Sequence, residues 1–200
     1  MDKRNMELHR ILCCGDSNTY GYDPRSYLGG RYPKSVRWTA LLETDGWSIL
    51  NDGQNGRCIP QREWEIAAVV QKIHRSKAEI VITMLGSNDL LPRPDLGAKA
   101  CTKRMKDFLV TLLQRSTSSF KTLLVAPPPM VPGAWITDDK LLTESLRLAG
   151  CYERLAQQIG IGFANAGAWN IELAYDGVHF TEQGHRNFYR EISKILKAAI

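Results

Sequence analysis

The 200 residues, 44% of them apolar and 24% charged, suffice for one domain with a continuous core over 1–200 and give no reason for a second. The net charge of +5 comes from cations spread along the chain, Arg31, Lys34, Arg37, Lys72, Arg75, Lys77, Lys99, Lys103 and Arg104 among them. Dispersed charge with no interleaved aromatics and no nucleic-acid motif describes a solvated surface and argues against a nucleic-acid partner. The five cysteines, Cys13, Cys14, Cys58, Cys101 and Cys151, are odd in number and lack CxxC or Cys/His spacing. That argues against a disulfide framework and against structural zinc, and it predicts reduced, mostly buried thiols.

In chain order, the charged start MDKRN leads to the apolar run Ile11, Leu12, Cys13 and Cys14, too short for a secretory segment, and no later stretch approaches a membrane span. The chain therefore reads as cytoplasmic, with no membrane partner. Residues 9–14 have strand character, as do 47–51, 78–85, 120–126 and 161–165. Helical periodicity is predicted between them over 34–44, 60–75, 96–114 and 139–159, and after them over 181–199. In the second helix Ile66, Val69, Val70 and Ile73 share a face, and Pro60 stands where a first helical turn tolerates it. Alternating strands and helices imply parallel strands joined by right-handed crossovers, hence a three-layer α/β/α sandwich on a five-stranded sheet. The longest irregular pieces, 21–33 and 127–138, both follow a strand and precede a helix. Open parallel sheets take ligands beyond the carboxyl ends of their strands, so function belongs to those loops.

Small polar groups follow strands one, two, three and five: Gly15-Asp16-Ser17-Asn18, Asn51-Asp52-Gly53-Gln54-Asn55-Gly56, Gly86-Ser87-Asn88-Asp89 and Asp176-Gly177-Val178-His179. Each alone is an ordinary turn or N-cap. Brought to one edge they supply an acyl-transfer site. Ser17 can attack an ester carbonyl if a neutral imidazole takes its proton, and that imidazole needs an acceptor to fix its tautomer. Asp176 and His179 meet the need, because a three-residue spacing folds the carboxylate back onto Nδ1–H within one turn. Among the other histidines, His9 lies at the wrong end of its strand, His74 closes a helix beside Lys72 and Arg75, and His185 sits inside the final helix without a suitably spaced carboxylate. Oxyanion donors are available in the backbone N–H of Ser17, the N–H of Gly56 with no Cβ in the way, and the side-chain amide of Asn88.

With these residues the chain resembles the SGNH, or GDSL-like, hydrolase family. The four blocks read GDSN, NDGQNG, GSND and DGVH and span Ile11 to about Phe188. The resemblance implies a flavodoxin-like sandwich with no metal or organic cofactor. It also implies Ser17 as nucleophile, Gly56 and Asn88 as oxyanion donors, His179 as base and Asp176 as its orienting partner. GDSNTYGYDP, APPPMVPGAW and DGVHFTEQGH are similar to the bacterial arylesterase and perhydrolase-like branch, which favours short acyl chains and is often oligomeric. One departure is Asn18, where the family usually has leucine. Thr19 also breaks the G-x-S-x-G elbow of larger hydrolases, and no Gly-Lys-Ser/Thr makes a P-loop.

On the substrate side, Tyr20, Tyr22 and Tyr27 belong to the first long loop, and Pro127, Pro128, Pro129, Met130 and Trp135 to the second; they are candidates for a pocket wall. Tyr20, Tyr22 and Trp135 are the candidate substrate contacts, while Trp38 and Cys58 read as packing residues. Asp16 and Asp89 read as carboxylates that hold their turns by hydrogen bonds. The function expected is a serine esterase that hydrolyses, or transfers, short acyl groups of small esters. Alternatives are a carbohydrate O-deacetylase or lysophospholipase using the same residues and, from another class, a non-catalytic anion-binding module with GDSN as a nest at a helix start.

Overall fold

The structure, a computed structural model, describes residues 9–26, 28–93 and 95–198. Tyr27 and the last residue of the predicted final helix lie outside the described residues. Five strands, β1 (Arg10–Gly15), β2 (Ser48–Gly53), β3 (Ile80–Met84), β4 (Lys121–Ala126) and β5 (Gly162–Asn165), form one sheet in the order β2-β1-β3-β4-β5. All pairings are parallel, with Gly15 of β1 opposite Gly53 on one side and Met84 on the other. The α/β/α layering and the five-stranded parallel sheet are as the alternation predicts.

Strand side chains alternate between two cores. Leu12, Cys14, Val81, Leu124 and Ala126 point to one face, where they meet α3 (Glu63–Ser76), α5 (Gly97–Arg115) and α6 (Asp139–Ile159) through Ile66, Val69, Phe108, Leu109, Leu148 and Tyr152. Ile11, Cys13, Ile80, Ile82 and Val125 point to the other, against α2 (Trp38–Thr44) and α7 (Glu182–Ala198) through Trp38, Leu42, Phe188 and Ile192. Burial on both faces explains why these strands read as continuous apolar runs. Asp45, just past α2, accepts from Tyr189 Oη at 2.8 Å and Ser193 Oγ at 2.5 Å, which ties α2 to α7.

Several boundaries differ from the sequence reading. Pro60 precedes the second long helix instead of opening it. That helix starts at Glu63, and the Glu65 carboxylate accepts the backbone N–H groups of Gln61 and Arg62, each at 2.9 Å, doing the work of a cap. The first predicted helix begins at Trp38, because residues after Pro33 form turns, with Val36 N–H on the Pro33 carbonyl at 3.0 Å. β2 runs on to Gly53, so the first half of NDGQNG is strand. Two short helices, α1 (Ser17–Tyr20) and α4 (Ser87–Leu90), lie in the polar blocks; the sequence placed a helix start at Ser17 and none at Ser87. Gly53 lets the end of β2 touch α1: a Cβ there would stand 2.1 Å from the Tyr20 nitrogen. Among the described residues no helix is long and apolar enough to cross a membrane.

His185 is fully buried between the rings of Tyr32 and Phe180, at 5.3 Å from each, and among the described residues neither ring nitrogen has a hydrogen-bond partner. Burial, helped by the nearby Arg37 charge, pushes its pKa down to about 3 from an ordinary 6.5. Between those values the unfolded chain holds a proton that the folded chain does not, so stability falls as pH falls, by up to about 1.4 kcal/mol per pH unit. In His185→Phe this contribution is absent. Thermal unfolding at pH 7 and pH 4 should show a smaller loss of midpoint in the variant than in the parent protein.

Candidate active site

The chain leaves β1 through Asp16, whose carboxylate accepts the Asn18 N–H at 3.0 Å and so starts α1 at Ser17. Gly21, at φ +89°, ends the helix after one turn and returns its N–H to the Ser17 carbonyl at 2.8 Å. Side chains from α2 and β2 hold this turn from behind. Trp38 Nε1–H donates to the Asn18 carbonyl at 3.0 Å, and Asn51 Nδ2 donates to the Thr19 carbonyl at 2.7 Å and to Thr39 Oγ1 at 2.8 Å. Trp38 is thus a packing and hydrogen-bonding residue, as its helical position implied.

Beyond β5, Asp176 organises a second turn. Its Oδ1 accepts the N–H groups of Val178 and His179, each at 2.9 Å, and its Oδ2 lies 2.7 Å from His179 Nδ1. His179 Nε2 then stands 2.9 Å from Ser17 Oγ. A neutral imidazole with its proton on Nδ1, facing the carboxylate, leaves Nε2 as acceptor for the serine O–H. Burial alone would raise the Asp176 pKa, but the ring and backbone N–H groups of His179 and the N–H of Val178 outweigh it and hold the carboxyl below its ordinary value. The loop 127–138 is laced to this turn by backbone bonds from Val131 to Gly177, Ala134 to Tyr175 and Trp135 to Asp176.

The proposed oxyanion donors come from three loops. Ser17 is the first residue of α1, so its N–H has no intrahelical acceptor. Gly56 sits exposed in the turn after β2 at φ +71°, and a Cβ there would meet nothing within 4 Å. The left-handed backbone at this position favours glycine whatever approaches it. Asn88 Nδ2 donates one hydrogen to the Arg57 carbonyl at 3.2 Å, and an amide has a second. Arg57 in turn donates to the Asp52 carbonyl at 2.8 Å and to its carboxylate at 3.0 Å, where Lys72 also lies. This ion-paired latch behind the Gly56 turn was missed in the sequence, because Asp52 looked like one more turn residue.

Asp89 accepts the Ile59 N–H at 3.0 Å and Arg104 at 3.1 Å, and Asp16 caps α1, so both aspartates hold turns as expected. Burial pushes Asp16 up to about 6, against the pull of the Asn18 N–H and of His179. It raises Asp89 as well, with Ile59 and Arg104 opposing. Cys58 is exposed, contrary to the expectation of a buried small hydrophobe, with its sulfur 3.3 Å from the Asn88 carbonyl. Desolvation, followed by the charge of Asp89, pushes its thiol up, away from thiolate chemistry.

Of the candidate substrate contacts, two meet at His179. The Tyr22 ring lies 4.6 Å from the imidazole, and the Trp135 ring meets it edge-on at 5.2 Å while remaining 52% exposed. Tyr20 does not join them: its ring is covered by the Arg31 guanidinium at 4.3 Å. Met130, expected in the pocket wall, is buried in the core. The rival histidines are elsewhere, His9 paired with Glu79 at 2.7 Å and His74 3.4 Å from Thr117. Among the described residues no group of three or more His, Cys, Asp or Glu side chains could hold a metal ion.

Comparison with known proteins places this arrangement. An acetylxylan esterase of Xylanibacter ruminicola is 24% identical over 96% of this chain but only 43% of its own length, so the chain spans less than half of that relative. The solved structure of a putative arylesterase from Agrobacterium tumefaciens is 27% identical, with a TM-score of 0.83 over 96% of this chain and 100% of that one. A carbohydrate acetylesterase family member from Sinorhizobium meliloti is 25% identical, with a TM-score of 0.82 over 96% and 98%. The M. smegmatis aryl esterase, 24% identical, shares the fold with a TM-score of 0.85 over 96% and 100%. The model of the GDSL-like lipase/acylhydrolase family matches residues 13–186, and the chain belongs to that family.

Proposed function

We propose that the protein cleaves short acyl esters of small alcohols through an acyl-enzyme on Ser17. The observation that carries this reading is the continuous hydrogen-bonded chain from Asp176 Oδ2 through both nitrogens of His179 to Ser17 Oγ. His179 Nε2 takes the Ser17 proton as Oγ bonds to the carbonyl carbon. The N–H groups of Ser17 and Gly56 and the Asn88 amide receive the negative oxygen of the tetrahedral intermediate; one such donor is worth about 2.7–4 kcal/mol of barrier. The intermediate collapses with cleavage of the bond to the alcohol, which leaves with the proton from His179. Water, or a second alcohol, then gives up a proton to the same imidazole and attacks the acyl carbon, releasing the acid or a new ester and restoring Ser17. Asp176 remains ionised throughout and stabilises the imidazolium.

A second reading differs in the alcohol. The half-exposed Trp135 ring beside His179 is a flat apolar surface of the kind on which a sugar ring can rest, and relatives of this chain include proteins named for acetylxylan and carbohydrate acetyl esters. It favours an O-deacetylase of acetylated oligosaccharides over an enzyme of long-chain lipids. A non-catalytic anion-binding module would leave the Asp176–His179 pair without a role, and a fluorophosphonate separates it, since only an activated serine is labelled.

Ser17→Ala should lower kcat on p-nitrophenyl acetate by a factor on the order of 10⁴ or more, and Asp176→Asn by on the order of 10³–10⁴. Parental turnover by Ser17→Ala would rule the mechanism out. For the alcohol, Trp135→Ala should raise KM for acetylated oligosaccharides at least about fivefold more than for p-nitrophenyl acetate if the sugar rests on that ring. Equal effects on the two substrates would favour the aryl-ester reading.

A further inference from the structure

The residue after the candidate nucleophile is the one place where the GDSN block departs from its usual form, and both the nitrogen and the oxygen of its side-chain amide are hydrogen-bonded. Asn18 is 4% exposed. Its Nδ2 donates to the Val178 carbonyl at 3.1 Å, and its Oδ1 accepts the Phe180 N–H at 2.9 Å. These two backbone groups bracket His179. The amide orientation is fixed from both sides, because a carbonyl can only accept and an N–H can only donate. The backbone of Asn18 is held as firmly, its N–H on Asp16 and its carbonyl on Trp38.

We infer that Asn18 is a positioning residue that sets where the His179 imidazole stands relative to Ser17; the inference rests on the acyl-transfer reading above. Asp176 fixes the tilt and tautomer of the imidazole within its own turn, but nothing in that turn fixes its distance from a serine 162 residues away in sequence. Asn18 does so by clamping the two residues that flank His179 to the residue covalently bonded to Ser17. A planar fork with one donor and one acceptor is what the carbonyl of residue 178 and the N–H of residue 180 require. Leucine offers neither group, aspartate lacks the donor, and glutamine is one methylene longer. Val178 and Phe180 are buried, so losing the fork leaves two backbone groups unpaired and the turn free to shift. A misplacement of about 1 Å at a reacting group can cost about 10²-fold in rate.

The test compares Asn18→Leu and Asn18→Asp with the parent protein and with Ser17→Ala on p-nitrophenyl acetate, well below the thermal midpoint of each. Asn18→Leu should lower kcat on the order of 10- to 100-fold with KM changed less than about threefold, and Asn18→Asp, which keeps the acceptor and loses the donor, should also lower kcat. A purely structural role would lower the thermal midpoint and leave kcat within twofold of the parent, and that result overturns the inference. If neither variant folds, amide hydrogen exchange in the unaltered protein decides. The Phe180 N–H should exchange as slowly as amides of β1 and β3, and exchange at the rate of an exposed amide overturns the clamp. Ser17→Ala that keeps parental turnover defeats the acyl-transfer reading itself; loss of turnover in Ser17→Ala with full activity in Asn18→Leu defeats only the role of Asn18.

Discussion

The 2.9 Å hydrogen bond between His179 Nε2 and Ser17 Oγ joins groups 162 residues apart, and much of the molecule exists to keep that distance. A parallel sheet is a natural device for the purpose. Every strand delivers its following loop to the same edge, so residues far apart in the chain meet without a long excursion by any of them. β1 lies inside the sheet between β2 and β3, buried on both faces, which places the GDSN turn on a rigid floor. Gly53, pressed against Tyr20, lets the edge close tightly around α1.

The same edge buries Asp16, Ser17, Asn18, Asp52, Asp89, Asp176 and His179, an unusual load of polar groups for a small domain. Such burial is tolerable only where each group is hydrogen-bonded. The carboxylates show how finely that condition works. Asp176 receives three hydrogen bonds and is held as an anion, whereas Asp16 receives the Asn18 N–H and is pushed by burial up to about 6. Two buried aspartates at one site therefore have opposite electrostatic characters: desolvation prevails at Asp16, whereas at Asp176 the hydrogen bonds from His179 and Val178 outweigh it. His185 shows the other extreme, an imidazole with no hydrogen-bond partner among the described residues, which stays neutral because burial penalises its charge.

Tyr22 and Trp135 stand over His179 from two different loops, and the loop carrying Trp135 is bonded along its backbone to the Asp176 turn. The turn after β2 is braced separately, by Asp52, Arg57 and Asn88.

The sequence by itself determined the α/β class, the number and parallel direction of the strands, and the identity of the four polar blocks. Apolar runs buried on both faces and amphipathic helices leave periodicities that survive in one dimension, and the right-handed crossover rule then supplies the common edge. Ser17, Asp176, His179, Gly56 and Asn88 could be proposed from the sequence because the chemistry asked of them is tied to residue type and to a turn, and the fold joins the first three by hydrogen bonds. Tertiary structure alone decided the starts of α2 and α3, the withdrawal of Tyr20 beneath Arg31, the exposure of Cys58, the Asp52–Arg57 latch and the clamp made by Asn18. Each of these depends on which side chain meets a particular backbone group or ring across the fold. Such a meeting leaves no periodic trace: an asparagine that holds a distant turn and one that merely caps a helix are the same letter until the chain has folded.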